Sequence, residues 1–98
     1  MTQKDILDTL RQQEAQLRKA GLSALYLFGS VARNEAGSSS DIDLACDIDD
    51  AKPIGVLGLL SLQSGLKKAL AQEVDLVERA ALRGAVQREF MADMVRVF

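Results

Sequence analysis

The sequence predicts an α/β (α+β) fold, a small mixed β-sheet of about three strands flanked by helices. Two periodicities point there. Three segments, one at each end and one in the middle, repeat apolar residues at helical spacing. Between them "LSALYLF", "DIDLACDID" and "EVDLVE" are short and either apolar throughout or alternating, as strands are. No linker, repeat or low-complexity tract divides the 98 residues, so 1–98 reads as one domain with a modest core.

Thr2 and Asp5 stand at capping-box spacing. Ile6, Leu10 and Leu17 then recur along one helical face, and Gly21 is a natural C-terminal stop, so the first helix runs from Gln3 to Ala20. "LSALYLF" is apolar on both alternating faces and reads as a strand covered on both sides. Gly29-Ser30 ends it, "SVARNEA" suits a short helix, and "GSSS" (Gly37 to Ser40) is a loop. In "DIDLACDID" Ile42, Leu44, Cys46 and Ile48 share one face, and Asp41, Asp43, Ala45, Asp47 and Asp49 share the other. Pro53 opens a second long helix, Ile54 to Ala71. "EVDLVE" sets Asp75 opposite Val74 and Leu76, and the pattern is helical again from Leu82 to Phe98.

Composition removes several chemistries. There is no histidine, which excludes Ser-His or Cys-His catalysis and His-ligated zinc. A net charge of −2 argues against direct nucleic-acid binding, which normally shows a basic patch. The longest apolar run, "IGVLGLLSL", is far short of the ~20 residues a membrane span needs, and the N-terminus has no signal-peptide pattern. One cysteine, Cys46, cannot form an intrachain disulfide and fits a cytoplasmic setting. It is expected in the core.

Asp41 and Asp43, at i and i+2 of a strand, project side by side. Paired carboxylates repel unless a cation lies between them or one takes a proton. Oxygen-only ligands of this kind suit magnesium, which completes its shell with water and substrate phosphate. Gly29 lets backbone approach closely at the strand end, the next turn offers N–H groups, and the Ser30 hydroxyl adds a donor. Together these describe a Mg-nucleotide site. An EF-hand starting at Asp41 fails, because Cys46 and Lys52 occupy the positions that need glycine and glutamate. No P-loop, dinucleotide fingerprint or nucleophile elbow occurs.

The pattern G-S-x10-D-x-D, here Gly29-Ser30 to Asp41-x-Asp43, resembles the signature of the DNA polymerase β-like nucleotidyltransferases. "FGSVARNEAGSSSDIDL" is most similar to their minimal nucleotidyltransferase (MNT) branch, and the resemblance extends through Arg33 to "VDLV". Two departures stand out. Asn34 replaces a frequent glycine, a change asparagine tolerates in the left-handed conformation, and the chain ends at Phe98 where members often show tyrosine.

The resemblance implies a polymerase β-like fold and transfer of AMP from ATP to a hydroxyl, with release of pyrophosphate. It implies two Mg2+ ions about 4 Å apart on Asp41, Asp43 and a third carboxylate, Asp75, which is also the candidate general base. Gly29, Ser30 and Arg33 would bind the nucleotide. Arg33 could equally pair with Glu35 or an aspartate, and Asp75 could be an exposed strand acid. Asp47 and Asp49 read as surface acids. The branch implies a HEPN-domain toxin as partner, with a tyrosine as acceptor and this chain as antitoxin, and leaves a homo- or hetero-oligomer open. The rivals are an antitoxin that neutralises by contact alone and a transferase acting on a small molecule such as an antibiotic. Phe90, Met91, Met94, Val95 and Phe98 read mostly as core, with an excess left for a partner.

Overall fold

The computed structural model describes residues 1–35 and 41–98. The "GSSS" loop and Ala36, the end of "SVARNEA", fall outside the described residues. In chain order the elements are α1 (Gln3–Gln12), α2 (Glu14–Ala20), β1 (Leu22–Phe28), α3 (Gly29–Ala32), β2 (Ile42–Ile48), α4 (Gly55–Leu70) and β3 (Val74–Glu78). A 3-10 turn (Arg79–Ala81), α5 (Gly84–Asp93) and β4 (Val95–Arg96) complete it.

The strands form one mixed sheet in the order β3-β2-β1-β4. β1 runs antiparallel to β2 and β4, while β2 and β3 are parallel across the α4 crossover. One face is packed by α1, α2 and α4. There Ile6, Leu10, Leu17, Leu66 and Leu70 meet Leu25, Leu27, Ile42, Leu44 and Cys46. The predicted capping box is present, with Asp5 N–H donating to Thr2 Oγ1 at 3.2 Å and Thr2 N–H to the Asp5 carboxylate at 2.9 Å. Cys46 is buried in this core, and its thiol is pushed up to about 12 mainly by burial.

The other face is only partly covered. Ala24, Tyr26, Phe28 and Ala45 pack under Leu82 and Phe90. Phe90 is the one fully buried residue of α5, and its ring meets Tyr26 and Phe28 edge-on with centroids 5.5 Å away. A single aromatic therefore pins α5 across the sheet. Phe90→Ala is expected to cost about 3–5 kcal/mol, a large share of a small domain's stability, read as a drop in the denaturant midpoint.

Three expectations are corrected. The first helix is broken at Gln13, whose N–H turns back to Leu10 in a tighter 3-10-like step. The helix expected over Leu82 to Phe98 is only α5, and the chain beyond Met94 becomes a fourth strand. Tyr26 pairs with Arg96 and Leu27 with Val95, while Val97 N–H donates to Leu25 C=O at 2.8 Å. Without that strand β1 would present an open edge of unpaired backbone groups, and satisfying it outweighs the helical pattern. Finally, Met91 and Met94 are 65% and 44% exposed rather than core. Val56, Leu57 and Leu60 of α4 are also exposed. No described helix is long and apolar enough to cross a membrane.

Candidate active site

The site forms where β1 ends beside the start of β2 and β3. Register puts Asp43 opposite Phe28, the last residue of β1, and opposite Asp75 on the parallel neighbour β3. The even-numbered residues of β2 are consumed by the core, so Asp43 must emerge on the face α5 leaves open.

Gly29 is the residue next to Phe28 and makes the turn. Its φ is +77°, and a Cβ placed there would collide with the Asp43 carboxylate. Both the left-handed backbone and the close approach require glycine. Ser30 follows, half-buried, in the first turn of α3. Asn34, at φ +62°, closes this segment in the left-handed conformation expected of it.

Asp43 is half-buried, whereas Asp41 and Asp75 are exposed. The Asp43 carboxyl is held above the usual carboxylate range, first by burial and then by the charges of Asp75, Glu89 and Asp41, with Arg33 opposing. Asp41, Asp43 and Asp75 thus share one electrostatic neighbourhood whose negative charge Arg33 only partly offsets. A divalent cation would relieve it, and the donors are the hard oxygens that magnesium takes. Among the described residues no three such side chains converge to metal-ligand spacing, so the carboxylates stand as an array along the strand ends.

A family model described as a nucleotidyltransferase domain matches residues 7–97. The chain belongs to that family. This nucleotidyltransferase is 28% identical to protein adenylyltransferase MntA of Thermococcus cleftensis, over 99% of this chain and 97% of the relative. It is 32% identical to a Methanocaldococcus jannaschii protein provisionally named a protein adenylyltransferase, over 98% of each chain. Among solved structures, a minimal nucleotidyltransferase superposes with a TM-score of 0.75 at 26% identity, covering 97% of this chain and 95% of that one. The Shewanella oneidensis MNT antitoxin, solved in complex with a tri-AMPylated HEPN toxin, shares the fold. Its TM-score is 0.71 at 22% identity, covering 99% of this chain and 72% of that chain. The expected polymerase β-like fold, enzyme class and MNT branch are therefore met.

The remaining residues of the nucleotidyltransferase are placed as follows. Arg33 is engaged by carboxylates, pairing with Glu35 at 2.9 Å and Glu89 at 3.5 Å and also with Asp93. It ties α3 to α5 and stays protonated well above the ordinary range through its hydrogen bonds to Glu35 and Asp93. Asp47 accepts from Arg79 Nε at 2.7 Å and from the Tyr26 hydroxyl at 3.4 Å. Asp49 closes a turn by accepting from Ala51 N–H at 3.0 Å. Both acids have structural partners; Asp47 sits farther along β2 than Asp43, and Asp49 lies just past the end of the strand. Glu89 was not foreseen. It lies on α5, more than forty residues from Asp43 in sequence, and only the packing of Phe90 brings it near.

Proposed function

We propose that this nucleotidyltransferase transfers AMP from ATP to a tyrosine hydroxyl of a HEPN-domain toxin and acts as its antitoxin. The observation that carries the reading is the packing of Gly29 backbone against Asp43, with Asp75 in register beside it. A phosphate-binding turn and a carboxylate array are thereby brought to one point. The names of the MntA relative and of the MNT antitoxin complex support the acceptor class and the partner. A structural relative described as a toxin-antitoxin with AMP-PNP, matched at a TM-score of 0.73 and 24% identity, supports a nucleoside triphosphate as donor.

In this reading Asp41, Asp43 and Asp75 would hold the magnesium ions, which when bound neutralise the triphosphate charge and acidify the acceptor hydroxyl. Gly29 backbone and the Ser30 hydroxyl would hold the β and γ phosphates. Arg33, whose field reaches Asp43, would exchange one of its carboxylates for a phosphate oxygen. Asp75, exposed and with no ion pair among the described residues, would take the acceptor proton as the oxygen attacks the α-phosphorus and pyrophosphate leaves. Bringing nucleophile and phosphorus into line supplies much of such a barrier, and the partner must help to do so. Met91, exposed on α5, and Met94, exposed at its C-terminal cap, offer an apolar contact for it.

The test is incubation with ATP, magnesium and the product of a neighbouring HEPN gene. Mass spectrometry is expected to find AMP on a tyrosine, and little or none on free tyrosine or an aminoglycoside. Efficient modification of a small molecule by this protein alone would overturn the reading.

A further inference from the structure

The segment that carries Gly29 and Ser30 is too short to hold its own position. α3 is a single turn between Gly29 at φ +77° and Asn34 at φ +62°, and one turn of helix is not stable alone. Its internal bonds run from the N–H groups of Arg33, Glu35 and Asn34 to the carbonyls of Gly29, Ser30 and Val31. These fix the shape of the segment, while its placement against Asp43 depends on contacts with the rest of the chain. Val31 supplies one such contact, buried in the core. Arg33 supplies another, through Glu89 and Asp93 on α5.

Gln3 supplies a third. Its side-chain Nε2 donates to the carbonyls of Ala32 at 2.8 Å and Val31 at 3.3 Å, 29 and 28 residues away in sequence. Both neighbours are acceptors, so only the nitrogen of the amide suits the place, and it carries two N–H groups for them. The contact falls at the carbonyl end of α3, where a helix leaves acceptors without intrahelical partners. Gln3 is itself well fixed. It is the first residue of α1, directly after the Thr2 cap, and Ile6 and Leu10 of that helix lie in the core. In the reading above Arg33 gives up one carboxylate when the triphosphate arrives, which loosens the tie to α5. Gln3 grips the end of α3 away from Gly29 and Ser30, so its hold persists through that exchange.

We propose that Gln3 is a positioning residue for nucleotide binding: by clamping the carbonyl end of α3 to α1, it keeps Gly29 and Ser30 seated against Asp43, ready for the triphosphate. The inference rests on the nucleotide site proposed above. Without the clamp the turn samples other placements, and a site that is competent only part of the time binds more weakly by that fraction. The effect therefore falls on ATP and not on the acceptor protein.

The experiment compares the wild type, Gln3→Met and Lys4→Met. Methionine matches glutamine in length and removes the donor. Lys4, the next residue, pairs on the surface with Asp8 at 2.8 Å and controls for a change in α1 itself. Mg-ATP affinity is measured by calorimetry on the protein alone, and KM for ATP and for the HEPN partner by AMP transfer. Amide exchange is followed by mass spectrometry. Gln3→Met is expected to weaken Mg-ATP binding and raise KM for ATP about tenfold, the loss of one to two net hydrogen bonds. KM for the partner should not change. Exchange should quicken at the amides of Arg33, Asn34 and Glu35 and stay as in the wild type in β1 and β2, and Lys4→Met should match the wild type throughout. Wild-type ATP affinity in Gln3→Met overturns the proposal even if the melting temperature falls, since the amide would then serve stability alone. A raised KM for the partner with an unchanged KM for ATP also overturns it, and would make α1 part of the docking surface. So does an equal loss in Lys4→Met. A wild-type protein that binds Mg-ATP with the expected Gln3 effect but transfers no AMP fails the proposed function and leaves this inference standing, whereas one that binds no Mg-ATP fails both.

Discussion

Asp43→Asn is expected to reduce adenylyl transfer by about a thousandfold or more, because it removes the carboxylate central to the array and several kcal/mol of transition-state stabilisation. The same change is expected to raise the melting temperature at pH 7. The Asp43 carboxyl titrates above the usual range in the fold, through burial and the charges of Asp75, Glu89 and Asp41. The folded state therefore binds this proton more tightly than the unfolded chain does, and stability falls as pH rises from the ordinary value of ~3.9 through the folded one. Above that window the penalty is fully present, and asparagine relieves it. Below about pH 4 both states are protonated and the two proteins should melt alike. Paired melting curves at pH 7 and at pH ~3.5, together with an AMP-transfer assay, check both halves. A less stable Asp43→Asn protein at pH 7 would mean the carboxylate is held by favourable contacts instead.

Gly29→Ala is the second large effect, and it separates geometry from charge. No charged group is changed. The new methyl meets the Asp43 carboxylate directly, and its backbone must sit at φ +77°, where an L side chain is strained. Strain of this kind costs about 1–3 kcal/mol. The carboxylate must also move aside, and misplacement by about 1 Å can cost on the order of a hundredfold in rate. The expected result is a lower melting temperature together with at least that loss of transfer. Gly29→Ala at wild-type activity would show that the turn does not seat the reacting phosphates against Asp43. The two variants thus change stability in opposite directions while both lose activity.

Much of this molecule was legible from local pattern. The alternation of "DIDLACDID" assigned Ile42, Leu44 and Cys46 to the core and Asp43 to the opposite face, because a strand admits only two faces and hydrophobic burial chooses between them. The capping box at Thr2, the left-handed Asn34 and the G-S-x10-D-x-D spacing are likewise properties of short stretches. They require no knowledge of what packs where.

Other features arose only from the packed chain. Val95 to Phe98 carried a helical pattern, but β1 had an edge to be paired, and that demand comes from a strand seventy residues away. Arg33 could have met phosphate or carboxylate on sequence grounds; Glu35 is a local partner, and the position of α5 added Glu89 and Asp93. A pocket beside α5, lined by Arg79, Leu82, Arg83 and Phe90, had no sequence signature, since its lining comes from a turn, a helix and a strand that meet only when Phe90 seats on Tyr26 and Phe28. The identity and order of the chemical groups at the strand ends are readable along the chain. The tertiary structure decided which charges neutralise one another and which remain exposed, because Coulomb interactions and burial depend on distances in space that residue spacing does not encode.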